Sequence, residues 1–282
     1  MLADNKDIKR IIITALLEDA PTGDITSSCT VPKEKQAEGY VIARHDYVVS
    51  GLGIAKQIYL MVDKKIKFQP FLKDGQKIKK GQKLYSVKGN ARAILIAERV
   101  ALNIISHMMG VATKTNRFVE LVKGTHVKIL DTRKTIPGIR VLQRIAVKDG
   151  GGSNHRASLS DAILVKENHV LMCGGIKKVL QKLEIADDNV KTEVEVRSLK
   201  ELKDALSLKF KPDVIMLDNM VPKQVLEAVK INKGRVKLEV SGGVTERTIL
   251  SYAKTGVDYI SLGTLTHSVQ NADLSFLFKG IK

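Results

Sequence analysis

The second half of the chain repeats short apolar runs, rich in β-branched residues, each of which ends at a polar residue or a glycine. The last four runs end roughly 22 residues apart, which leaves room for one strand, one helix and two loops in each repeat. The pattern predicts six strands, at residues 127–130, 162–165, 194–196, 214–217, 236–240 and 259–262.

Helix-length segments separate these strands. The pattern predicts three helices among them, with Thr245 as the N-cap residue of the last: residues 199–206, 223–229 and 246–254. Strands that alternate with helices indicate βαβ units and a parallel sheet. Six such units favour a closed or nearly closed α/β barrel, and a doubly wound open sheet is the alternative.

Chemistry-bearing residues follow most of the predicted strands. In α/β barrels the active site lies at the carboxyl ends of the strands. Each such residue alone could cap a helix or turn the chain, but together they predict a site for an anionic ligand that carries a metal ion. The residues at these ends are Asp131, Arg133, Lys166, Glu195, Asp218, Ser241, Gly242, Gly243 and Gly263.

The first half of the chain lacks this repeat. An amphipathic helix is predicted over residues 7–18, and further helical residues lie at 53–61. Residues 74–89 have the glycine spacing of a small β-hairpin, and residues 91–123 form a long helical pattern that we expect to break at Gly110, near the domain boundary. Short strands are predicted at residues 39–43, 47–50 and 66–72.

Composition narrows the kind of protein and its location. The chain has 282 residues, and no uncharged stretch exceeds 14 residues, as in 100–113, so we expect no membrane span. No secretory signal is visible at the N-terminus, and Cys29 and Cys173 stand apart, outside any metal-ligand spacing. A reduced cytoplasmic compartment is the simplest expectation.

The charge balance points to an anionic partner. The net charge is +17, which fits nucleic acid, an anionic membrane surface or anionic small substrates. Residues 123–166 hold nine basic and three acidic side chains but no aromatic residue. Because nucleic-acid binders combine basic patches with aromatic stacking residues, a small anionic ligand is favoured.

Three motifs in residues 131–169 make the prediction specific. They are D-T-R-K-T-I-P-G at 131–138, G-G-G-S-N-H-R at 150–156 and L-V-K-E-N-H at 164–169. Shorter pieces agree in order along the chain: E-D-A-P-T-G-D-I-T at 18–26, E-R-V-A-L-N at 98–103, E-V-E-V at 193–196, M-L-D-N at 216–219, E-V-S-G-G at 239–243 and S-L-G at 261–263. The chain therefore resembles the quinolinate phosphoribosyltransferase family, a group of type II phosphoribosyltransferases.

The resemblance implies an α/β fold with an N-terminal α/β sandwich domain at residues 1–110 and a C-terminal incomplete, open α/β barrel of about six to seven parallel strands at residues 111–270. Residues 271–282 would return to the N-terminal domain. The implied reaction joins quinolinate to phosphoribosyl pyrophosphate and yields nicotinate mononucleotide, pyrophosphate and carbon dioxide, in the de novo route to NAD. It also implies Mg²⁺ as cofactor and a homodimer, with neither nucleic acid nor membrane as partner.

The resemblance also implies roles for individual residues. The expected catalytic residues are Lys134, Lys166, Glu195 and Asp218. The expected quinolinate-binding residues are Arg99, lent across the dimer, with Arg133, Lys134, His155, Arg156 and Lys166. The expected phosphoribosyl pyrophosphate-binding residues are Glu195, Asp218, Ser241, Gly242, Gly243, Gly263 and Thr264. Mg²⁺ would be held mainly through the pyrophosphate, with Glu195 and Asp218 as its candidate protein ligands.

The sequence leaves other functions open. A phosphoribosyltransferase of the same shape could act on another base, such as nicotinate, although two arginines and a histidine suit a dicarboxylate better. Asp218 is followed by Asn219 rather than by a second acid, which disfavours a type I phosphoribosyltransferase. Glu167 stands where the family more often has Asp. A basic nucleic-acid-binding protein is the rival from another functional class.

Overall fold

The computed structural model describes residues 6–184 and 190–279. In this part of the chain the helices are α1 (Lys6–Asp19), α2 (Ile25–Thr30), α3 (Leu52–Val62), α4 (Ala91–Leu121), α5 (Arg140–Asp149), α6 (Glu167–Cys173), α7 (Ile176–Leu183), α8 (Leu199–Ser207), α9 (Pro222–Asn232), α10 (Ile249–Ala253) and α11 (Thr264–His267). The strands are β1 (Gln36–Ala43), β2 (Tyr47–Val48), β3 (Lys67–Pro70), β4 (Lys77–Ile78), β5 (Lys83–Asn90), β6 (Lys128–Leu130), β7 (Ile163–Val165), β8 (Thr192–Val196), β9 (Val214–Asp218), β10 (Lys237–Ser241), β11 (Tyr259–Ser261) and β12 (Leu274–Phe278).

The chain forms two compact units. The first contains the residues up to Asn116, Thr135–Gly151 and the residues from Thr264 onward, and the second contains Arg117–Lys134 and Gly152–Gly263. The domain limits predicted at residues 110 and 270 remain untested predictions. In the compact units, α5 and α11 are grouped with the N-terminal sheet, whereas the predicted limits assign both helices to the barrel domain.

An antiparallel sheet of order β12-β1-β5-β3 forms the centre of the first unit. Alternate residues of β1 are buried from Gly39 to Ala43, as expected of a strand with one covered face. Tyr59 of α3 and Tyr85 of β5 are fully buried, and their rings meet edge to face with centroids 6.1 Å apart. The C-terminal strand β12 pairs with β1, while residues 280–282 lie outside the described part.

The predicted hairpin over residues 74–89 is wrong. β4 pairs with β2, whereas β5 pairs with β1 and β3. The glycines at 75 and 81 do turn the chain, since both have a positive φ. Both strands pair with segments elsewhere in the chain. β5 lies inside the larger sheet, where it buries its apolar residues Leu84, Tyr85 and Val87.

The predicted break at Gly110 is also wrong, because α4 runs unbroken from Ala91 to Leu121. Gly110 is needed for close packing, since a Cβ there would collide with the carbonyl oxygen of Gln270. The cost of a helical glycine, about 1 kcal/mol, is offset by a long apolar face. Its fully buried residues follow the helical period: Ile94, Ala97, Ala101, Ile105, Met108 and Ala112.

By length and composition alone α4 could cross a membrane. Its most apolar 18-residue window has a mean hydropathy of 1.4, and 56% of that window is buried inside the protein. Such burial is the pattern of a core helix.

The second unit is a parallel six-stranded sheet of order β6-β11-β10-β9-β8-β7. From β7 to β11 each strand lies beside the next one in the chain, and β11 closes back onto β6. This is the cyclic order of an α/β barrel with β6 and β7 at its two edges. The predicted open barrel is confirmed, and the doubly wound alternative is wrong because the strand order has no reversal point.

The helices that connect these strands lie near their predicted positions. α8 begins after Ser198, whose side chain accepts a hydrogen bond from the backbone N–H of Glu201. The predicted helix over residues 246–254 is shorter than expected, since α10 begins at Ile249 after Thr248. The N-cap residue of α10 is Thr248 rather than the predicted Thr245, whose N–H donates to the Thr248 hydroxyl at 3.0 Å.

Candidate active site

The barrel strands deliver polar residues to one edge of the sheet. Lys166 follows β7, Glu195 lies near the end of β8, and Asp218 and Ser241 are the last residues of β9 and β10. Asp218 and Ser241 are register partners in neighbouring strands. Because the carboxyl ends of parallel strands share an edge, the four residues are brought together as the sequence predicts.

Charge pairing organises this edge. Lys166 Nζ donates to Glu195 Oε2 at 2.7 Å, and the Glu195 side chain is only 8% exposed. Burial raises the pKa of Asp218, and repulsion by the Glu195 carboxylate raises it further, although Lys166 and Arg197 oppose the rise. The two carboxylates are therefore close enough to interact, with cations beside them.

Two successive glycines shape the loop after β10. Gly242 and Gly243 have φ angles of 92° and 65°, in the left-handed region that favours glycine. A Cβ on Gly242 would collide with the side-chain oxygen of Asn219. Asn219 itself has a φ of 54°, and its N–H donates to the Ser241 carbonyl at 2.8 Å. The loops after β9 and β10 thus fit closely against each other.

Two arginines are held near each other beside the first strands of the barrel. Burial lowers the pKa of Arg156, and the positive charge of Arg133 lowers it further. Arg156 Nη1 donates to the Ala162 carbonyl at 3.0 Å. Its Nε is buried and has no hydrogen-bond partner among the described residues. Two guanidinium groups in mutual repulsion, one with a buried donor to satisfy, suit a ligand with more than one negative charge.

The Arg156 backbone is anchored by a buried network. Asp131 is fully buried, and its carboxylate accepts from Asn154 Nδ2 at 2.6 Å and from the His155 N–H at 2.7 Å. The Arg156 N–H donates to His155 Nδ1 at 2.8 Å. His155 Nε2 lies 2.9 Å from Glu193 Oε2.

Two buried glutamates surround the His155 ring. Glu193 on β8 is 5% exposed and Glu239 on β10 is 1% exposed, with Glu239 Oε1 3.7 Å from His155 Nε2. Burial raises the pKa of Glu239 to about 7, with the charge of Glu193 adding to it. Burial lowers the pKa of His155, but the hydrogen bond to Glu193 and the neighbouring carboxylates outweigh it. The Arg156 N–H, aimed at Nδ1, opposes a second ring proton.

The remaining predicted site residues are distributed over both compact units. Lys134 belongs to the barrel unit, and its backbone N–H donates to the Thr132 hydroxyl at 3.1 Å. Gly263 ends the barrel unit, while Thr264 begins α11 in the first unit and accepts from Lys114 Nζ at 2.6 Å. Arg99 lies on α4 in the first unit, 62% exposed and 3.9 Å from Glu98.

Sequence reasoning missed several contacts of this site. It noted Asn219 and the motifs that contain Glu193 and Glu239, but it did not predict that Asn219 packs against Gly242 or that the two glutamates lie beside His155. The inward alternation of Glu193 and Glu195 along β8 was the available signal, since residues two apart share a face. Glu167, which departs from the family pattern, forms an ion pair with Arg197.

Comparison with known proteins decides the family. The sequence model of the quinolinate phosphoribosyl transferase C-terminal domain matches residues 111–277, and that of its N-terminal domain matches residues 24–109. The chain belongs to the quinolinate phosphoribosyltransferase family. This family match spans both halves of the molecule, so the resemblance seen in the motifs holds for nearly the whole chain.

Individual members of the family are similar along most of their length. A probable nicotinate-nucleotide pyrophosphorylase [carboxylating] of Bacillus subtilis (strain 168) is 38% identical over 269 residues, covering 95% of this chain and 92% of that protein. The mitochondrial quinolinate phosphoribosyltransferase [decarboxylating] 2 of Nicotiana glauca is 39% identical, covering 95% and 81%. The solved nicotinate-nucleotide pyrophosphorylase of Francisella tularensis has 41% identity and a TM-score of 0.93, covering 98% of this chain and 97% of that one.

Proposed function

We propose that the barrel rim holds the two substrates of the family reaction side by side, quinolinate at the arginines and phosphoribosyl pyrophosphate at the carboxylates and glycines. As a member of this family the enzyme is a phosphoribosyltransferase of NAD biosynthesis. A bond forms between the quinolinate ring nitrogen and C1 of the ribose, and the bond from C1 to the pyrophosphate oxygen breaks. The 2-carboxylate then leaves as carbon dioxide and a proton takes its place, which gives nicotinate mononucleotide.

The buried Nε of Arg156, which has no hydrogen-bond partner among the described residues, is the observation that carries the quinolinate assignment. Arg156 is also repelled by Arg133, and Glu193 opposes that repulsion in part, so an anionic ligand would stabilise the two arginines further. Quinolinate carries two adjacent carboxylates, and arginine binds carboxylates bidentately while staying charged. Because a buried donor left without a partner is costly, this Nε supports a carboxylate contact at Arg156.

The proposal includes three further residues for quinolinate. Lys134 follows Arg133 directly in the chain, His155 precedes Arg156, and Lys166 carries its ammonium group at the end of β7. We further propose that the enzyme works as a homodimer in which Arg99 reaches the quinolinate of the neighbouring subunit. Its exposed position on α4 supports this role, because the side chain is not committed to the interior of its own subunit.

The carboxylate side of the rim suits phosphoribosyl pyrophosphate. The hydroxyl groups of the ribose can donate to Glu195 and Asp218. The left-handed glycines at 242 and 243 leave their backbone N–H groups accessible to a phosphate, with Ser241 beside them. Gly263 and Thr264, at the end of the last barrel strand, complete the set proposed for the 5′-phosphate.

The donor set also fits Mg²⁺. The buried Glu195 carboxylate and the Asp218 carboxylate, whose pKa is raised in part by Glu195, supply the oxygen ligands that this ion prefers. Mg²⁺ usually keeps waters and substrate phosphates as its other ligands. We propose that Mg²⁺ arrives mainly on the pyrophosphate, with Glu195 and Asp218 as its protein ligands. When bound, the ion would stabilise the negative charge of the leaving group.

The residues of the chain act on the charges that develop in the reaction. As the bond to the leaving group breaks, the ribose gains positive and the pyrophosphate negative charge. The Glu195 carboxylate would favour the positive sugar, while Lys134 and Lys166 would stabilise the departing oxygen. The pair of Lys166 with Glu195 keeps both charges fixed before substrate binds, so little reorganisation is needed.

We also propose the cytoplasm as the location of the enzyme. The unpaired cysteines, Cys29 and Cys173, support a reducing compartment.

One assay tests the proposed reaction and its runner-up together. Purified protein is incubated with phosphoribosyl pyrophosphate, Mg²⁺ and either carboxyl-labelled quinolinate or nicotinate, and carbon dioxide and nicotinate mononucleotide are followed. We expect equal amounts of both products from quinolinate and little product from nicotinate. Nucleotide formed from nicotinate, with none from quinolinate, would show that the base is a monocarboxylate and would overturn the proposal.

A further inference from the structure

Both nitrogens of the His155 ring are engaged inside the barrel unit. Nδ1 accepts the N–H of Arg156 at 2.8 Å, so the proton of the neutral ring resides on Nε2. Nε2 in turn lies 2.9 Å from Glu193 Oε2. The side chain of His155 thereby connects the Arg156 backbone to a carboxylate in the sheet.

Glu193 and Glu239 have no place in the substrate contacts described above. They lie on β8 and β10, on either side of β9, and both side chains are almost fully buried. A buried carboxylate is costly unless it is paired or hydrogen-bonded. His155 Nε2 lies 2.9 Å from Glu193 Oε2 and 3.7 Å from Glu239 Oε1, so the ring pairs with Glu193 and has Glu239 beside it. Among the described residues, Glu193 Oε1 and Glu239 Oε1 have no hydrogen-bond partner.

The position of Arg156 depends on this network. Its guanidinium is repelled by Arg133 and attracted by Glu193, and its Nη1 donates to the Ala162 carbonyl at 3.0 Å. Its backbone is fixed through His155, whose own N–H donates to Asp131 at 2.7 Å. A binding side chain that is repelled by a neighbouring charge needs a rigid backbone and fixed hydrogen bonds to hold its position.

We propose that His155 is a positioning residue, locked by Glu193 with Glu239 beside it, and that it acts on quinolinate through Arg156 rather than by direct contact. This rests on the proposed function and refines the part that His155 plays in it. The ring fixes the backbone from which the Arg156 side chain extends toward the substrate.

Two substitutions of His155 separate positioning from contact. His155→Asn retains a side-chain oxygen near the Nδ1 position, which can accept the Arg156 N–H, but it loses Nε2. His155→Ala loses both. We expect His155→Ala to raise the KM for quinolinate by about tenfold or more, with the KM for phosphoribosyl pyrophosphate unchanged. His155→Asn should restore part of the loss, because it keeps the acceptor for the Arg156 N–H but not the pairing with Glu193, and Glu193→Gln should also raise the KM for quinolinate. Equal losses in the two folded His155 variants, together with a wild-type KM in Glu193→Gln, would show that Nε2 contacts the substrate and would overturn the proposal.

Nuclear magnetic resonance of the His155 ring tests the same proposal on the wild-type enzyme, in case a variant does not fold. In wild-type enzyme with ¹⁵N-labelled histidine, the His155 ring should show a protonated Nε2 and an unprotonated Nδ1. Glu193→Gln, which keeps an acceptor oxygen, assigns this ring through its altered Nε2 signal. Saturating quinolinate should leave the Nε2 signal almost unchanged. A large shift on binding would mean direct contact and would contradict the proposal.

The same cluster has the composition of a metal site, and metal analysis provides the last outcome. We expect the Zn²⁺ and Mn²⁺ contents of the purified wild-type enzyme and of Glu239→Gln to be the same and below one ion per chain. A stoichiometric ion in the wild-type enzyme that is lost from Glu239→Gln would mean that the His155 ring is a metal ligand and would overturn the positioning role. Failure of wild-type enzyme to use quinolinate at all would instead refute the proposed function, so the two failures are distinguishable.

Discussion

Lys166 and Glu195 form a 2.7 Å ion pair between the carboxyl ends of two neighbouring barrel strands. The carboxylate is buried and the ammonium group half exposed. The pair lies at the junction of the two proposed substrate sites, since Lys166 belongs to both the quinolinate and the catalytic sets.

The carboxylates Glu195 and Asp218 should serve phosphoribosyl pyrophosphate rather than quinolinate. In Glu195→Gln and Asp218→Asn the neutral amides can still accept hydrogen bonds but bind a cation weakly. We expect the KM for the Mg²⁺ complex of phosphoribosyl pyrophosphate to rise about tenfold or more, equivalent to about 1.4 kcal/mol. Steady-state kinetics with each substrate varied measures this. A fall in quinolinate affinity alone would mean that the two roles are reversed.

Loss of either Arg133 or Arg156 should abolish useful quinolinate binding while the fold is kept. In Arg133→Ala or Arg156→Ala one charge-assisted contact disappears, which should cost at least about 1.5–3 kcal/mol. Calorimetric titration with quinolinate measures the loss, and thermal unfolding checks the fold. Lys203→Ala, which removes a positive charge from an exposed position of α8, is the matched control and should bind normally. Wild-type-like binding by a folded arginine variant would refute the assignment.

The loop after β10, which contains Gly242 and Gly243, should not tolerate a side chain at position 242. Gly242→Ala adds a Cβ that collides with Asn219 in a backbone conformation unfavourable for alanine. We expect at least about a tenfold rise in the KM for phosphoribosyl pyrophosphate. Gly81→Ala is the control, since its φ of 81° carries similar strain while its Cβ would meet no atom of the described residues within 4 Å. It should lose about 1–2 kcal/mol of stability and keep both KM values. Equal kinetics in the two variants would exclude a phosphate role for the loop.

The stability of the first unit should depend on pH through Asp149. Burial raises its pKa from 3.8 to about 6, and the nearby Asp74 adds to the rise, although Ser50 donates a hydrogen bond to the carboxylate. A raised pKa of an acid means that the native state favours the protonated form. Its stabilising contribution is therefore complete below pH 3.8 and is lost as the pH rises through about 6.

Asp149→Asn isolates this contribution, because the amide oxygen can still accept from Ser50. As the pH rises from 4 to 7, the wild-type protein should lose about 1–2 kcal/mol relative to the variant, less than the full shift implies because Asp149 is only partly buried. Urea unfolding of both proteins across this range measures the difference. Parallel stability curves would show that Asp149 titrates as it does in the unfolded chain.

The barrel was more predictable from sequence than the site within it. Each strand is a short apolar run, and parallel strands buried on both faces give such runs directly, so all six fall where the pattern indicates them. The N-terminal half was harder because its pairing is non-local: nothing in residues 74–89 indicates that β4 pairs with β2. Gly110 was misread for a related reason, since only the distant Gln270 explains it.

The site residues illustrate the same limit. Strand-end charges such as Glu195 and Asp218 could be placed on the rim because the strand pattern fixes which edge they occupy. The support of Arg156 could not, since Glu193 and Glu239 lie on strands separated by β9 and meet His155 only through pairing between segments distant in the chain. Positive φ at Asn219 likewise follows from packing against Gly242 rather than from its own sequence neighbours.

Activity should depend on the assembly of two subunits. If Arg99 serves the site of the neighbouring subunit, activity requires the dimer, and a mixed dimer can be complemented. Arg99→Ala and Arg156→Ala proteins should each be nearly inactive alone. In a dimer with one subunit of each kind, one site has its own Arg156 and receives Arg99 from the partner, so it is complete. The other site carries both lesions.

Subunit exchange followed by assay measures this complementation. About half of the sites in mixed dimers should recover, and because random exchange of equal amounts makes about half of all dimers mixed, about a quarter of wild-type activity should return. Mass spectrometry of the intact dimers gives the mixed fraction independently. Arg117→Ala in place of Arg99→Ala is the control for a basic residue lost from the same helix, and that protein should be active without exchange. If mixed dimers form and no activity returns, Arg99 serves its own subunit, and the shared-site arrangement is wrong.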